Sequence, residues 1–180
     1  PNLMRYFSQN KSSFDSQTKY NEKIIGKKHT TEFYALARVG EYSYSEYFVA
    51  FRDNTSWQAS VVSKIETPWG ESKRPVFQNH AVTISQRPDG SFISEDEAHY
   101  ICGIMNSTLA HDFIMNSSDS RSFKINPPLN IPEYNKNLSS HMKLSELSKK
   151  AHKLFLDNQN VDFSDMDNMI DEQVAIILSK

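Results

Sequence analysis

Short apolar segments lie in the first half of the chain and predict strands, and one of them, residues 80–85, alternates with a period of two. They are rich in aromatic and β-branched residues, which favour pleated, half-buried backbone. These segments are residues 33–39, 47–52, 59–65 and 80–85. Arg87-Pro88-Asp89-Gly90 follows the last of them and predicts a tight turn, because proline presets φ and glycine accepts a positive φ. Residues 66–79 are interpreted as a long loop.

A helical period replaces this alternation after residue 93. Ser94 and Glu97 have the spacing of a capping box, and apolar residues follow it at i, i+3, i+4 and i+7. They predict a helix that breaks at Asn106-Ser107 and resumes to about Met115, which makes a helical hairpin. Two later apolar stripes predict further helices over 139–156 and 164–178. The stripes are Leu144, Leu147, Ala151, Leu154 and Phe155, and then Met166, Ile170, Val174 and Ile177.

These elements predict an α+β fold with a small mixed or antiparallel sheet, a helical hairpin and C-terminal helices. We divide the chain into a domain of residues 1–137 and a C-terminal helical extension of residues 138–180. The domain begins with residues 1–32, where we expect a polar helix over residues 3–20 and a basic loop from Gly26 to Thr31.

Charge and composition narrow the classes of function. The formal charge is −2, which argues against a general polyanion binder, but residues 1–93 carry +3 and residues 94–180 carry −5. Cys102 is the only cysteine, which excludes a disulfide framework and a Cys-rich zinc site. The apolar runs are too short for a membrane span, and the N-terminus has no signal-peptide pattern. We therefore expect a cytoplasmic protein without a membrane partner, cut from a longer polypeptide.

The residues do not assemble a recognisable catalytic apparatus. Asn126-Pro127-Pro128-Leu129 resembles the catalytic loop of adenine-N6 methyltransferases, but leucine replaces the aromatic residue that stacks on a flipped base. The five glycines are scattered, whereas a nucleotide cofactor needs a glycine-rich turn. The six histidines have no metal-ligand spacing, and the carboxylates of residues 95–97 suit a helix N-terminus. We predict no catalytic residue, cofactor site or metal site in this chain.

An ordered set of segments resembles a known family. Phe33-Tyr-Ala-Leu-Ala-Arg-Val-Gly-Glu-Tyr-Ser-Tyr44 with Phe48-Val-Ala-Phe-Arg-Asp53, and then Ile93-Ser-Glu-Asp-Glu-Ala-His-Tyr-Ile-Cys-Gly-Ile-Met-Asn-Ser107, are similar to TaqI-like C-terminal specificity domains. The resemblance continues through three further segments, which are Arg121-Ser122, Leu129-Asn-Ile-Pro-Glu-Tyr134 and Leu144-Ser-Glu-Leu-Ser-Lys-Lys-Ala-His152. These domains occur in adenine-N6 DNA methyltransferases and in single-chain type II restriction-modification enzymes.

The resemblance implies a target recognition domain that reads double-stranded DNA for a catalytic domain of the same or a partner polypeptide. That catalytic domain would bind S-adenosylmethionine, and Mg²⁺ where the parent enzyme also cleaves DNA. A protein-interaction or subunit-docking module of a restriction-modification or anti-phage system is the alternative. A stand-alone enzyme is disfavoured because no catalytic site can be assembled.

Side chains that suit DNA contact gather in three loops. Arginine and lysine pair with guanine and with phosphates, and asparagine and glutamine pair with adenine. The loops are Asp53 to Trp57, Trp69 to His80, and Ser117 to Lys124. The residues predicted to contact DNA are Trp69, Lys73, Arg74, Gln78, Asn79, Arg87, Arg121 and Lys124. Each of them is otherwise a solvated surface side chain, and the strongest candidates are Trp69, Lys73 and Arg74, because loops on rigid scaffolds carry recognition.

Overall fold

The computed structural model of the chain describes residues 2–12, 40–52, 56–77, 80–117 and 129–179. The chain divides into two compact units, Pro1–Glu41 and Tyr42–Lys180. The first unit contains helix α1 (Asn2–Gln9), whose side chains of Leu3 and Met4 are exposed. This helix is the start of the element expected over residues 3–20. The basic loop at 26–31 and the segment 33–39 lie outside the described residues.

The second unit contains a three-stranded antiparallel sheet with β1 (Phe48–Arg52) in its centre. Strand β2 (Ala59–Val62) pairs with one side of β1, and β5 (Ala81–Ile84) pairs with the other. The strands predicted over 47–52 and 80–85 are confirmed, and the segment 59–65 contains β2. Phe48, Val49 and Phe51 are buried, so the central strand has the apolar character expected of it.

A second pair of strands lies where the sequence indicated a long loop. Strands β3 (Ile65–Glu66) and β4 (Ser72–Lys73) form an antiparallel hairpin. Its turn is closed by the amide of Gly70, which donates to the carbonyl of Thr67 at 3.0 Å and has a φ of 81°. The Thr67 hydroxyl also donates to the Glu71 carbonyl at 2.8 Å. The loop interpretation was therefore wrong for residues 66–73.

The predicted turn at Arg87–Gly90 is confirmed. The amide of Gly90 donates to the carbonyl of Arg87 at 2.9 Å, and the φ of Gly90 is 85°. A side chain would be strained at this φ, so glycine is required here. The turn brings the chain back towards the first turn of the next helix.

The predicted helical hairpin is helix α2 (Glu95–Asn106) followed by α3 (Thr108–Ser117). The Ser94 hydroxyl accepts from the Glu97 amide at 3.2 Å, as the capping box predicts. Ser107 separates the two helices: its hydroxyl donates to the Ile104 carbonyl at 2.7 Å and accepts from the Ala110 amide at 3.2 Å. One buried hydroxyl thus serves both helix ends.

Helices α4 (Ser139–Asp157) and α5 (Ser164–Leu178) complete the unit. The whole stripe predicted for α5 is buried, as are Leu144 and Leu147 of α4, whereas Phe155 is 48% exposed. The buried residues of the two stripes share one core with Val49, Tyr100 and Met105. The boundary expected at residue 137 therefore falls inside the second unit, because α2 packs against both the sheet and the two C-terminal helices.

Two polar side chains join the helices to β2. The side-chain amide of Asn106 accepts a hydrogen bond from the backbone N–H of Ala59 through Oδ1 and donates one to the Ala59 carbonyl through Nδ2, each at 2.8 Å. The Nε2 atom of His152 accepts from the backbone N–H of Val61 at 3.0 Å. Both side chains therefore fix the position of β2 relative to α2 and α4.

Candidate nucleic-acid interface

The hairpin β3–β4 presents an exposed surface that contains three of the predicted DNA contacts. All four residues of its two strands are exposed. Trp69, in its turn, is 69% exposed, and Lys73 and Arg74 at its end are also exposed. The structure therefore places Trp69, Lys73 and Arg74 on one accessible element.

Hydrogen bonds give these side chains defined positions. The Nη1 atom of Arg74 donates to the carbonyl of Tyr44 at 2.8 Å. Lys73 Nζ lies 2.8 Å from a carboxylate oxygen of Glu71, and Trp69 Nε1 donates to the same oxygen at 3.3 Å. Hydrogen bonds from Lys73 and Trp69 lower the pKa of the Glu71 carboxyl group. Glu71 therefore orients both side chains.

The chain after the hairpin returns to the core at Phe77. Its ring lies 5.2 Å from that of Phe48, centroid to centroid, and Phe48 is fully buried at the start of β1. The hairpin is thus attached at its base by an aromatic contact and by the Arg74 bond to Tyr44. An exposed hairpin on a packed sheet has the layout that recognition elements share.

Arg87 lies in a different environment from the hairpin residues. Its guanidinium group forms a bidentate ion pair with the buried carboxylate of Glu97, and the Nε to Oε1 distance is 2.9 Å. Its Nη1 atom donates to the Ser91 hydroxyl at 2.9 Å and to the Phe92 carbonyl at 3.0 Å. These bonds hold the turn after β5 against α2, so they give Arg87 a structural role.

Trp57, at the end of the first expected loop, is part of the core. It is 6% exposed, its Nε1 atom donates to the carbonyl of Met105 at 2.7 Å, and its ring centroid lies 5.4 Å from that of Phe51. The expectation that this loop reads DNA up to residue 57 is therefore wrong for Trp57. Residues 53–55 lie outside the described residues.

Four further predicted contacts, Gln78, Asn79, Arg121 and Lys124, also lie outside the described residues. The same holds for residues 126–128 of the Asn-Pro-Pro-Leu segment. Leu129, its last residue, is half-buried and packs against the core.

His99 and Ser148, which are buried, form a cluster with the half-buried His152 that the sequence did not indicate as a unit. The hydroxyl of Ser148 lies 3.1 Å from His99 Nδ1, and the rings of His99 and His152 meet edge to face at 4.9 Å between centroids. Burial, with smaller effects of His152 and Lys149, lowers the pKa of His99 from 6.5 to about 4. The only local signal was the position of Ser148 and His152 beside the apolar stripe of α4.

The acidic residues at the start of α2 have cationic partners. Lys149 Nζ lies 2.7 Å from Asp96 and 3.4 Å from Glu95, while Glu97 binds Arg87. Within the described part of the chain, no group of three histidine, cysteine or acidic side chains has the arrangement of a metal site. Among the described helices, none has the length and apolarity to cross a membrane.

Comparisons of the chain with models of protein families, with curated proteins and with solved structures found no match. The similarity to specificity domains therefore rests on the segments quoted above and stays a prediction.

Proposed function

We propose that this chain is a sequence-specific, double-stranded DNA recognition module of an adenine-N6 DNA methyltransferase or a bifunctional restriction-modification enzyme. In this proposal it positions DNA in the cytoplasm for a catalytic domain outside the chain, on the same or a partner polypeptide. That domain would bind S-adenosylmethionine, and Mg²⁺ where the parent also cleaves DNA. The observation that supports the proposal best is the exposed hairpin with Trp69, Lys73 and Arg74.

The contacts that Lys73 and Arg74 make within the protein leave both side chains able to contact DNA. The pair between Lys73 and Glu71 is more than half exposed on both sides, and such surface pairs contribute little to stability. Lys73 can therefore exchange this carboxylate for a phosphate at small cost. Arg74 uses one of its five N–H groups on Tyr44, and this bond orients the rest of the guanidinium group for a bidentate contact with a guanine or a phosphate.

A second candidate function is docking to another protein. It is supported by apolar side chains that α4 and α5 leave on the surface, of which Leu156 is 81% exposed and Ile176 is 45% exposed. A recognition module must also bind its catalytic domain, so this surface is compatible with the first proposal. If the chain does not bind DNA, this apolar surface would be its main binding surface.

The test is selection of duplexes from a random double-stranded library by the full chain, followed by fluorescence-anisotropy titration of the enriched duplex. We expect the double variant Lys73→Ala with Arg74→Ala to bind at least tenfold more weakly, because a phosphate contact and a base contact are lost. Trp69→Phe tests the contribution of the indole N–H. In a separate titration, the affinity of the wild-type chain for the duplex should fall steeply as the salt concentration rises.

The matched control is the double variant Lys150→Ala with Lys153→Ala. It removes the same charge from exposed positions on α4. If the two double variants lose equal affinity, the hairpin has no special role. If no duplex is enriched and binding is insensitive to salt, the DNA proposal is refuted and the docking candidate remains.

A further inference from the structure

A pocket with a volume of about 350 Å³ lies between β2, the end of α2, and helices α4 and α5. It lies among elements of the second unit and contains none of the hairpin residues. Its wall is partly aromatic and partly polar. The lining residues that carry the argument are Trp57, Asn106, His152, Phe155, Phe163 and Asp167.

The inner polar groups of this pocket are already engaged by the protein. Trp57 Nε1 donates to the Met105 carbonyl, and the Asn106 amide is bound to the backbone of Ala59. His152 accepts from Val61 through Nε2, and its Nδ1 atom lies 3.0 Å from the carbonyl of Ser148. A ligand that needs many hydrogen bonds would have to compete with these contacts, of which the Trp57 bond is buried and therefore costly to break.

Asp167 provides the charge of the pocket. Within the described part of the chain, its carboxylate makes no side-chain hydrogen bond or ion pair, and the residue is exposed to solvent. Partial burial raises the pKa of this carboxyl group, and Asp171 and Asp162 raise it further. His111 also lines the pocket, and its Nδ1 atom lies 3.5 Å from Asp112. Asp167 is the acidic side chain among the described residues that line the pocket, so charge complementarity favours a cation and opposes an anion.

Two phenyl rings add a second preference. The rings of Phe155 and Phe163 have centroids 6.5 Å apart and planes inclined at 36°. A cation that lies within about 6 Å of both centroids would be in the range in which the electron-rich ring faces attract positive charge. Phe155 belongs to the apolar stripe of α4, but unlike Leu144 and Leu147 it is not buried. It is 48% exposed, so its ring is accessible to a ligand.

We propose that this pocket binds a compact methylated ammonium group. The two rings attract its diffuse charge, and Asp167 balances that charge. A primary ammonium group suits the site less well, because it is strongly hydrated and loses more water contacts on entry than a methylated ammonium group, whose diffuse charge suits the two rings. The group can belong to a small molecule or to a methylated lysine side chain of a protein, and the recognition chemistry is the same.

The test is a titration of the isotope-labelled full chain with choline, followed by two-dimensional NMR. We expect saturable shifts of the amide signals of Ser60, His152, Phe155 and Asp167, which belong to residues that line the pocket. The neutral isostere 3,3-dimethylbutan-1-ol should bind at least fivefold more weakly, because it has the same shape without the charge. A peptide with trimethyllysine, compared with its unmodified form, shows whether a protein side chain is preferred over the small molecule.

The variants separate charge from shape. Asp167→Asn should weaken choline binding at least fivefold, whereas Asp165→Asn removes an equal charge from the same helix outside the pocket and should change it less than twofold. Phe155→Leu keeps an apolar side chain and should also weaken binding at least fivefold. The proposal is overturned if neither choline nor the methylated peptide gives saturable shifts, if the neutral isostere binds equally well, or if the two aspartate variants behave alike.

Discussion

Arg87 and Glu97 form a bidentate ion pair that joins the turn after β5 to the first turn of α2. The Glu97 side chain is 5% exposed and that of Arg87 is 32% exposed. The pair therefore lies at the border between core and solvent, with the carboxylate on the inner side.

We expect Arg87→Ala to lower the free energy of unfolding by about 3 kcal/mol, because it leaves a buried carboxylate without its cation. Urea denaturation measures this change. Lys149→Ala, which removes the cation from Asp96 and Glu95 in a more exposed pair, should lower it by about 1 kcal/mol or less. Equal losses for the two variants would contradict the structural role of Arg87.

The stability of the protein should fall in mild acid because of His99. Its pKa is about 4 in the folded protein and 6.5 as its ordinary value, so the unfolded chain takes up a proton at a higher pH than the folded one. The stabilising contribution of neutral His99 is complete above about pH 6.5 and is lost as the pH falls towards 4. The largest loss is on the order of 3 kcal/mol.

Urea denaturation between pH 4.5 and 7.5 tests this dependence by comparison with two variants. His99→Gln removes the titrating group and should flatten the slope of unfolding free energy against pH. His111→Gln, which removes an imidazole group from an exposed position on α3, is the control for the substitution itself. A slope that is the same for all three proteins would assign the acid sensitivity to other groups.

Gly103 allows α2 and α4 to approach closely. A Cβ atom added there would lie 2.9 Å from Cδ1 and 3.0 Å from Cγ of Leu144, which is fully buried. We expect Gly103→Ala to destabilise the protein by about 1 kcal/mol or more, because overpacking outweighs the gain in helix propensity. In a Leu144→Ala background the same substitution should be neutral or stabilising, and a double-mutant cycle by thermal unfolding measures the difference.

Replacement by phenylalanine should destabilise the protein at Trp57 and have little effect at Trp69. Trp57→Phe removes a hydrogen bond to the buried carbonyl of Met105 and should lower the unfolding free energy by about 1–3 kcal/mol. Trp69→Phe, at an exposed position, should change it by less than about 0.5 kcal/mol. Fluorescence should agree: the protein that retains only Trp57 should emit at shorter wavelength than the one that retains only Trp69.

The parts of the fold that the sequence predicted are those with a local cause. Helix α2 has a capping residue at Ser94, and α5 has an uninterrupted stripe from Met166 to Ile177, so capping and periodicity were enough. The tight turn needed only the proline and Gly90. In each case neighbours in sequence supply the interactions that define the element.

The parts that were missed depend on distant residues or on very short elements. Trp57 is buried, and its Nε1 atom donates to the carbonyl of Met105, which lies 48 positions away in the sequence. No pattern of residues around position 57 indicates this contact. Hairpin β3–β4 has two residues in each strand, all exposed, so it has no apolar alternation to detect. Composition indicated that Trp69, Lys73 and Arg74 are exposed side chains, but the partner of Arg87 required the tertiary structure.

The bonds from Asn106 and His152 to β2 have a consequence for how the protein behaves at high concentration. Strand β2 is at the edge of its sheet, and such a strand offers unpaired amides and carbonyls to strands of other molecules. The side chains of Asn106 on α2 and His152 on α4 already bind such groups: Asn106 binds the amide and carbonyl of Ala59, and His152 binds the amide of Val61. An incoming strand would have to displace both side chains before it could pair, so the fold itself protects this edge against aggregation.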